Sequence, residues 1–265
     1  MKAKLIILPV LLILLLHTTA AAGAGLDITP GNINIGLIYS GSELKFSGTA
    51  PGGADIYVKI TSPEDLVMEL NRKGKVGLFW LNTERSKVSG VPKLYHVLSS
   101  APMDRVPGHL KKELGLSEGF EDIYTRARVS VNRKEGWEPA AAGEFHDYVE
   151  AFIGISRKNG LYAVGENLSV NGSEFRGRVK LPPGIPQERS SVTVYAIKDG
   201  ILLDTMQGYF DVSGTAPVRW LNRMAVYDGP IYGLMAVVLA LVFGVAITAL
   251  FNCLESLWGG GKRNQ

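Results

Sequence analysis

The pattern of apolar and polar residues is most distinctive near the C-terminus. None of the 21 residues from Ile231 to Phe251 carries a charge. An α-helix of that length rises about 30 Å, which matches the hydrocarbon thickness of a bilayer. A buried helix of a soluble domain usually keeps a polar face, whereas here only Thr248 interrupts the apolar surface, and its hydroxyl can bond to a carbonyl of its own helix. The pattern predicts a transmembrane helix over 231–251.

A different apolar run begins the chain. Lys2 and Lys4 precede a 12-residue run from Leu5 to Leu16, and small residues follow it up to Ala24. A charged start, a short apolar block and a small-residue cleavage site are typical of a secretory signal peptide. The run is too short to span a bilayer comfortably, and an uncleaved anchor is the alternative. The prediction is a signal peptide over residues 1–24.

The two apolar segments together predict a single-pass protein of the cytoplasmic (inner) membrane. The body between them is expected in the periplasm or outside the cell, and residues 252–265 are expected in the cytoplasm. Lys262 and Arg263 follow the span, as the positive-inside rule asks. Arg219 and Arg223 precede it and oppose that rule, so the orientation depends mainly on the signal peptide.

Short alternating segments predict that the body is mainly β. Polar and apolar residues alternate in residues 43–48 and 55–60, and again in 174–181, with Gly, Pro and Asn between such segments. Asp199 and Gly200 separate two further alternating runs and predict a tight hairpin turn of the primed type. The expected fold class is a set of immunoglobulin-like antiparallel β-sandwich modules with an inserted helical segment and one C-terminal transmembrane helix.

Helix signals occupy the middle of the chain. Pro107 and Gly115 are suitable start and stop residues for a short helix. Apolar residues recur at positions 145, 148, 149, 152 and 153, which is the spacing of one helix face, and Gly160 suits a left-handed cap. The opposite face is acidic, which anionic lipids would repel, so the helix is expected to pack on protein rather than on the membrane.

These elements predict a linear organisation of the chain. Two β modules are favoured, and the alternative is that the second β section completes the first by pairing with its edge. The predicted segments are a signal peptide (1–24), a β-sandwich domain (25–102), a helical connecting segment (103–160), a second β module (161–213), a juxtamembrane linker (214–230), a transmembrane helix (231–251) and a cytoplasmic tail (252–265).

Composition narrows the choice of partners. The formal net charge is +3, from 28 basic and 25 acidic residues, and the excess lies at the two ends of the chain. A neutral exported body lacks the basic patch that binds nucleic acid.

Cys253 is the only cysteine, so the body contains no disulfide. Cys253 is expected to be a small apolar filler, with acylation as the alternative.

The sequence contains no recognisable catalytic or metal motif. H-E-x-x-H, G-x-S-x-G and G-x-x-x-x-G-K-[ST] are all absent. The histidines of the body, His96, His109 and His146, are too widely spaced for a helical metal pair. We therefore expect no catalytic residue, no metal and no cofactor. Trp80 is a candidate for a binding surface, because exposed aromatic residues stack on sugars or partners, and a core position between sheets is the alternative.

Small residues recur along the predicted span. They are four residues apart at Ala236, Ala240, Gly244 and Thr248. Such a stripe lets a second helix approach closely, and close packing drives helix association in lipid. These residues are the helix-packing candidates, although Ala and Gly are common in spans without a partner.

Several stretches resemble a known family. They are YVEAFIGISRKNGLY, FRGRVKLPPGIP, GYFDV, GLFWLN and, above all, PIYGLMAVVLALVFG at the entry to the span. The chain is similar here to an uncharacterised family of transmembrane proteins known mainly from alphaproteobacteria and other Gram-negative bacteria. The resemblance implies a signal peptide, a β-rich periplasmic region and one C-terminal span. Members of that family are often encoded beside sulfite-exporter-like permeases, so the resemblance implies an accessory role.

The sequence favours a non-enzymatic, membrane-anchored periplasmic protein. Its partners are expected to be the lipid bilayer and an integral membrane protein, such as a transporter of the sulfite-exporter-like permease type, and not nucleic acid. The alternative is a tethered β-sandwich module that binds a small ligand or a glycan. A hydrolase with residues assembled from distant loops is a third hypothesis.

Overall fold

Strands dominate the chain before the long apolar helix. This computed structural model describes residues 25–65, 67–76, 79–133 and 136–259, so the predicted signal peptide, Lys262 and Arg263 lie outside the described residues. The described strands are β1 (Asp27–Thr29), β2 (Asn32–Ile35), β3 (Ser42–Thr49), β4 (Asp55–Thr61), β5 (Met68–Val76), β6 (Phe79–Ser89), β7 (Tyr95–Ser99), β8 (Arg128–Arg133), β9 (Gly136–Pro139), β10 (Tyr162–Gly165), β11 (Leu168–Asn171), β12 (Glu174–Leu181), β13 (Arg189–Lys198) and β14 (Ile201–Gly214). The described α-helices are α1 (Gly108–Leu114), α2 (Glu121–Arg126), α3 (Ala142–Lys158), α4 (Ala216–Tyr227) and α5 (Gly229–Gly259), and a 3₁₀ turn covers Met103–Arg105.

The described strands form three sheets. The six-stranded sheet has the order β10-β7-β4-β13-β14-β2, and the two four-stranded sheets have the orders β1-β3-β12-β11 and β5-β6-β8-β9. The prediction of a mainly β fold with one C-terminal apolar helix is confirmed. The immunoglobulin-like arrangement of the sheets stays a prediction.

Strands of the two predicted β sections pair with each other. β12 lies antiparallel to β3 along its whole length, from Glu174 opposite Thr49 to Leu181 opposite Ser42. β13 pairs with β4 on one side and with β14 on the other. The second section therefore completes sheets begun by the first, which is the alternative that the sequence left open. Alternation within a strand specifies which side chains face the core, but it does not specify which distant strand becomes the neighbour.

The pairing of β10 with β7 is parallel, which the sequence did not predict. β10 runs parallel to β7, with Tyr162 opposite Tyr95. Parallel neighbours need a long crossover, and here the connection carries α1, α2, β8, β9 and α3. The segment predicted as helical over 103–160 thus also contains two strands. In β8, Val129 and Val131 are buried, which is the one-sided burial of a strand.

The centre of the six-stranded sheet is buried on both faces. In β4, the side chains of Ile56, Tyr57, Val58 and Ile60 are at most 1% exposed.

The predicted hairpin joins β13 to β14, with Lys198 opposite Ile201. Its two turn residues have positive φ, 50° at Asp199 and 77° at Gly200, so the primed turn is confirmed.

The amphipathic helix α3 packs its predicted face on the β-rich body. Val149, Phe152 and Ile153 are buried, and the helix contacts β6, β8 and β10. Gly160 follows the end of α3 in the left-handed conformation, with φ of 70°, which is a usual way for a helix to end. The predicted helix face and its glycine cap are both confirmed.

The chain divides into two compact units, with boundaries in the middle of β2 and near the end of β14. The described part of the larger unit comprises residues 25–33 and 40–212, and that of the smaller unit comprises 34–39 and 213–259. The smaller unit contains α4 and α5, with only Asp228 between them. α5 extends beyond the predicted limits of 231–251 at both ends, because helical hydrogen bonds do not require apolar side chains.

Candidate functional site

A cavity of about 860 Å³ opens beside α1 and α2 in the larger unit. Its volume falls within the range of small-molecule sites, which is about 300–1,000 Å³. Both acidic and basic side chains line the cavity, so its charge does not favour anions over cations or the reverse. The charged side chains along it are Asp104, Lys111, Lys112, Glu118, Glu121, Asp122 and Arg126.

A lysine from the central strand holds the end of α1 at this cavity. Nζ of Lys59 donates a hydrogen bond of 2.5 Å to the carbonyl oxygen of Leu114, the last residue of α1. A cation at a helix C-terminus binds the unpaired carbonyls and stabilises the negative end of the helix dipole. Gly115 then ends the helix in the left-handed conformation, with φ of 65°, and this confirms the predicted stop.

Tyr95 and Asp122 meet at the same glycine. The Tyr95 hydroxyl lies 3.0 Å from Oδ2 of Asp122 and also contacts the carbonyl oxygen of Gly115. A Cβ added to Gly115 would lie 2.8 Å from Oδ2 of Asp122, 3.1 Å from the Tyr95 hydroxyl and 3.3 Å from Nζ of Lys59. Lys59, Tyr95 and Asp122 therefore converge on one point of the backbone, and we call these three residues the Lys–Tyr–Asp cluster.

Burial and mutual attraction act in opposite directions within the cluster. Burial raises the pKa of Asp122, while the hydrogen bond from Tyr95 and the charges of Arg126 and Lys59 lower it. Burial lowers the pKa of Lys59, and the charge of Asp122 opposes that shift. Burial also raises the pKa of Tyr95, and the charge of Asp122 adds to the effect, so its hydroxyl remains a hydrogen-bond donor.

One acceptor of the cluster is left over. Oδ1 of Asp122 is buried and has no hydrogen-bond partner among the described residues. A buried carboxylate oxygen without a partner costs free energy unless a donor reaches it. Asp122 also lines the cavity, together with Lys111 and Lys112, but solvent does not reach this oxygen. A cavity lined by charged side chains of both signs suits a small polar ligand.

Aromatic side chains support the cluster from the core. The rings of Tyr95 and Phe120 pack edge to face with centroids 5.6 Å apart, and Phe120 lies 5.2 Å from Tyr162. Phe152 of α3 packs edge to face on Tyr162 at 5.5 Å. Aromatic pairs of this geometry contribute beyond their buried area. They hold α2, α3, β7 and β10 in fixed relation around the polar residues.

The structure disperses the residues that the sequence singled out in the body. Trp80 belongs to β6 and pairs with Lys75 of β5, but its side chain lies outside the described residues. His96 is buried and its Nε2 lies 2.9 Å from the carbonyl oxygen of Gly160. His146 stacks on Tyr124 with centroids 5.1 Å apart. In the described part of the chain, no three His, Cys, Asp or Glu side chains converge as metal ligands.

The small-residue stripe lies on an open helix surface. Ala236, Ala240, Gly244 and Thr248 are all exposed on α5. A Cβ added to Gly244 would meet no atom within 4 Å outside its own helix backbone. Oγ1 of Thr248 donates a 2.8 Å hydrogen bond to the carbonyl oxygen of Gly244, which confirms that this hydroxyl bonds within the helix. The stripe is thus free to accept a second helix.

Sequence reasoning missed the Lys–Tyr–Asp cluster. Its members come from β4, β7 and α2, and no motif spacing connects them. The only signal was Lys59 itself, which stands in the alternating run DIYVKI between two apolar positions. A cation inside such a strand indicates a buried partner when the strand is covered on both faces.

The comparisons with known proteins agree with the architecture. Residues 25–253 match the model of a family described as Putative transmembrane protein (Alph_Pro_TM). No curated protein and no solved structure matches the chain. The match covers the β-rich body and the apolar helix α5 as far as Cys253.

Proposed function

We propose that this chain, which belongs to that transmembrane family, is a non-enzymatic interaction subunit of an integral membrane assembly. In this proposal α5 anchors the protein in the inner membrane and packs against a partner helix, while the β-rich body is presented in the periplasm. The partner class that we favour is a transporter, with a sulfite-exporter-like permease as the first candidate.

The exposed apolar surface of α5 carries the proposal. Residues Gly229–Leu254 form a helix of 26 residues that is long and apolar enough to cross a membrane, and none of its most apolar window is buried. An exposed apolar surface of this size is not stable in water, so lipid or protein must cover it. Lipid alone suits most of the helix, whereas the small-residue stripe favours a helix as its neighbour.

Two observations support a periplasmic body. The first apolar run has the pattern of a signal peptide, and the family match begins at residue 25, directly after it. Lys262 and Arg263 follow the span, which favours a cytoplasmic tail.

Substitution within the stripe tests the proposal. Gly244→Leu fills the open position, and Ala246→Leu adds the same side chain on the other side of the helix as a matched control. We expect Gly244→Leu to reduce at least about tenfold the integral membrane protein recovered with the tail-tagged chain in mild detergent, because a loss of about 1.4 kcal/mol in packing is a tenfold change in affinity. Ala246→Leu should leave recovery unchanged. Equal recovery with all three proteins would refute the proposed contact.

The cavity favours a second function, binding of a small polar ligand. The observation behind it is a cavity of about 860 Å³ whose lining carries acidic and basic side chains, with Lys111 and Lys112 among them. A thermal-shift screen of amino acids, sugars and dicarboxylates on the detergent-solubilised protein tests this function, since a ligand that binds only the folded state raises Tm. The shift should disappear in Lys111→Ala/Lys112→Ala and persist in the control Lys180→Ala. A screen without any shift would remove this second function.

A further inference from the structure

The smaller unit exposes apolar side chains outside the membrane-spanning helix. Leu37 is 71% exposed and Ile38 is 97% exposed, in the loop between β2 and β3. Single exposed apolar residues are common, but two adjacent ones at a loop tip form a local patch that water solvates poorly. Hydrogen bonds hold this patch near the start of α4.

The loop is bonded to the start of α4. The backbone N–H of Thr215, which precedes α4, donates a 2.8 Å hydrogen bond to the carbonyl oxygen of Ile35. Oγ of Ser213 also donates to the side-chain oxygen of Asn34, at 3.2 Å. Leu37 and Ile38 follow Ile35 by two and three residues, so the apolar loop tip stays near the first turn of α4.

The exposed face of α4 has the composition of a membrane interface. At about 100° per residue, Arg219, Trp220, Arg223 and Tyr227 fall within an arc of about 100°. All four are exposed, Trp220 by 54% and Tyr227 by 79%. Tryptophan and tyrosine are enriched at the level of lipid headgroups, and arginine extends its guanidinium to phosphates from the same depth.

The other end of α4 is fixed at the membrane boundary. Only Asp228 separates Tyr227 from Gly229, where α5 and its apolar window begin. Consecutive Cα atoms are about 3.8 Å apart, so the end of α4 cannot leave the headgroup region. Its 12 residues are about 18 Å long, so the tilt of α4 and the side that it turns to the membrane decide whether the loop tip reaches the lipid.

We propose that α4 lies along the membrane surface on the N-terminal side of the span, where it docks on anionic phospholipid. Arg219 and Arg223 bind lipid phosphates, Trp220 and Tyr227 lie among the headgroups, and Leu37 and Ile38 enter the top of the hydrocarbon. A membrane is the occupant of this surface because the surface is continuous with the span. A protein partner on the same face is the competing occupant, and the proposal does not depend on the partner of α5.

Site-directed spin labelling of the full chain in vesicles tests the proposal without any other protein present. In a Cys253→Ala background, Ile38→Cys places the label on the loop. Ile201→Cys, on the β13–β14 turn of the larger unit, is the matched control because Ile201 is also an exposed isoleucine, at 63%. Accessibility to dissolved oxygen and to a water-soluble nickel complex then reports the depth of each label.

We expect the label at position 38 to be accessible to oxygen and protected from nickel in vesicles of phosphatidylglycerol and phosphatidylcholine. The label at 201 should show the opposite preference. In Arg219→Gln/Arg223→Gln, the depth at 38 should no longer depend on phosphatidylglycerol. A label at 38 that is as accessible to nickel as the label at 201 would overturn the proposal, as would protection that occurs only when a native membrane extract is added, since that result assigns the face to a protein.

Discussion

Removal of one hydroxyl group tests how the cavity wall is held to the sheet. Tyr95→Phe keeps the ring, which is 2% exposed and packs against Phe120 and Tyr162. It deletes the group that lies 3.0 Å from Oδ2 of Asp122 and contacts the carbonyl oxygen of Gly115. After the change, Oδ2 of Asp122 loses the partner given by Tyr95, and Oδ1 already has none among the described residues.

The expected cost follows from these unpaired acceptors. A buried polar group that loses its hydrogen bond costs about 1–3 kcal/mol, and more when the group is charged. We therefore expect Tyr95→Phe to lower the free energy of unfolding by about 2–3 kcal/mol at neutral pH. The ring contacts persist, so no cavity contribution is added.

The pH dependence of the cost separates Asp122 from Gly115. Burial already raises the pKa of Asp122 above 3.8, and loss of the Tyr95 bond raises it further. A carboxyl whose folded-state pKa is raised destabilises the fold once the unfolded chain ionises. Its cost is absent below pH 3.8, grows as the pH rises from there to the folded-state pKa, and is constant above that pKa. The effect of Tyr95→Phe should therefore be larger at pH 7 than near pH 4.

Pulse proteolysis of the full chain in urea and mild detergent measures this difference. With a urea m-value of about 2 kcal/mol/M, a loss of about 2 kcal/mol moves the midpoint by about 1 M. Tyr209→Phe is the matched control, because Tyr209 is 53% exposed and should change stability by less than about 0.5 kcal/mol. Equal midpoints for Tyr95→Phe and wild type, or a cost that does not vary with pH, would show that the hydroxyl does not hold Asp122.

Two further predictions concern the body. Burial lowers the pKa of His96, so the stability contributed by its neutral form is present above pH 6.5 and is lost as the pH falls below that value. In urea unfolding between pH 7.5 and 5.5, His96→Gln should reduce this loss of stability, whereas the control His109→Gln, at an exposed histidine, should not. An unchanged dependence of stability on pH in His96→Gln would contradict the assignment. Gly177→Ala in β12 should cost about 1–3 kcal/mol, because the added Cβ overlaps the ring of Phe46 and lies 2.5 Å from Cδ2 of Leu168. Gly184→Ala, where a Cβ meets nothing within 4 Å, is its control, and similar Tm values for the two variants would rule out the expected overlap.

The elements that the sequence predicted well are those encoded within one segment. The face of α3, its cap at Gly160 and the turn at Asp199 and Gly200 depend on residues only a few positions apart. The period of apolar residues and the conformational freedom of glycine are local properties, so they can be read without knowledge of neighbours. The span is an extreme case, because 21 uncharged residues suffice to indicate it.

The Lys–Tyr–Asp cluster could not be predicted in this way. Lys59, Tyr95 and Asp122 are separated by 36 and 27 residues, and each stands in a segment whose local pattern is ordinary. Their proximity depends on the pairing of β4 with β7 and on the position of α2 over the sheet. The parallel pairing of β7 with β10 could not be predicted either, because a crossover of more than 60 residues separates the two strands in the chain.

By itself the sequence determined a mainly β body, its amphipathic helix and one helix that is long and apolar enough to cross a membrane, because periodicity, turn residues and helix length act over a few residues. The tertiary structure decided that the two β sections share sheets, that a lysine, a tyrosine and an aspartate meet at Gly115, and that an apolar loop is bonded to the helix preceding the span. These features arise from hydrogen bonds and packing between distant segments. The pattern of residues in one segment does not specify which distant segment it will contact.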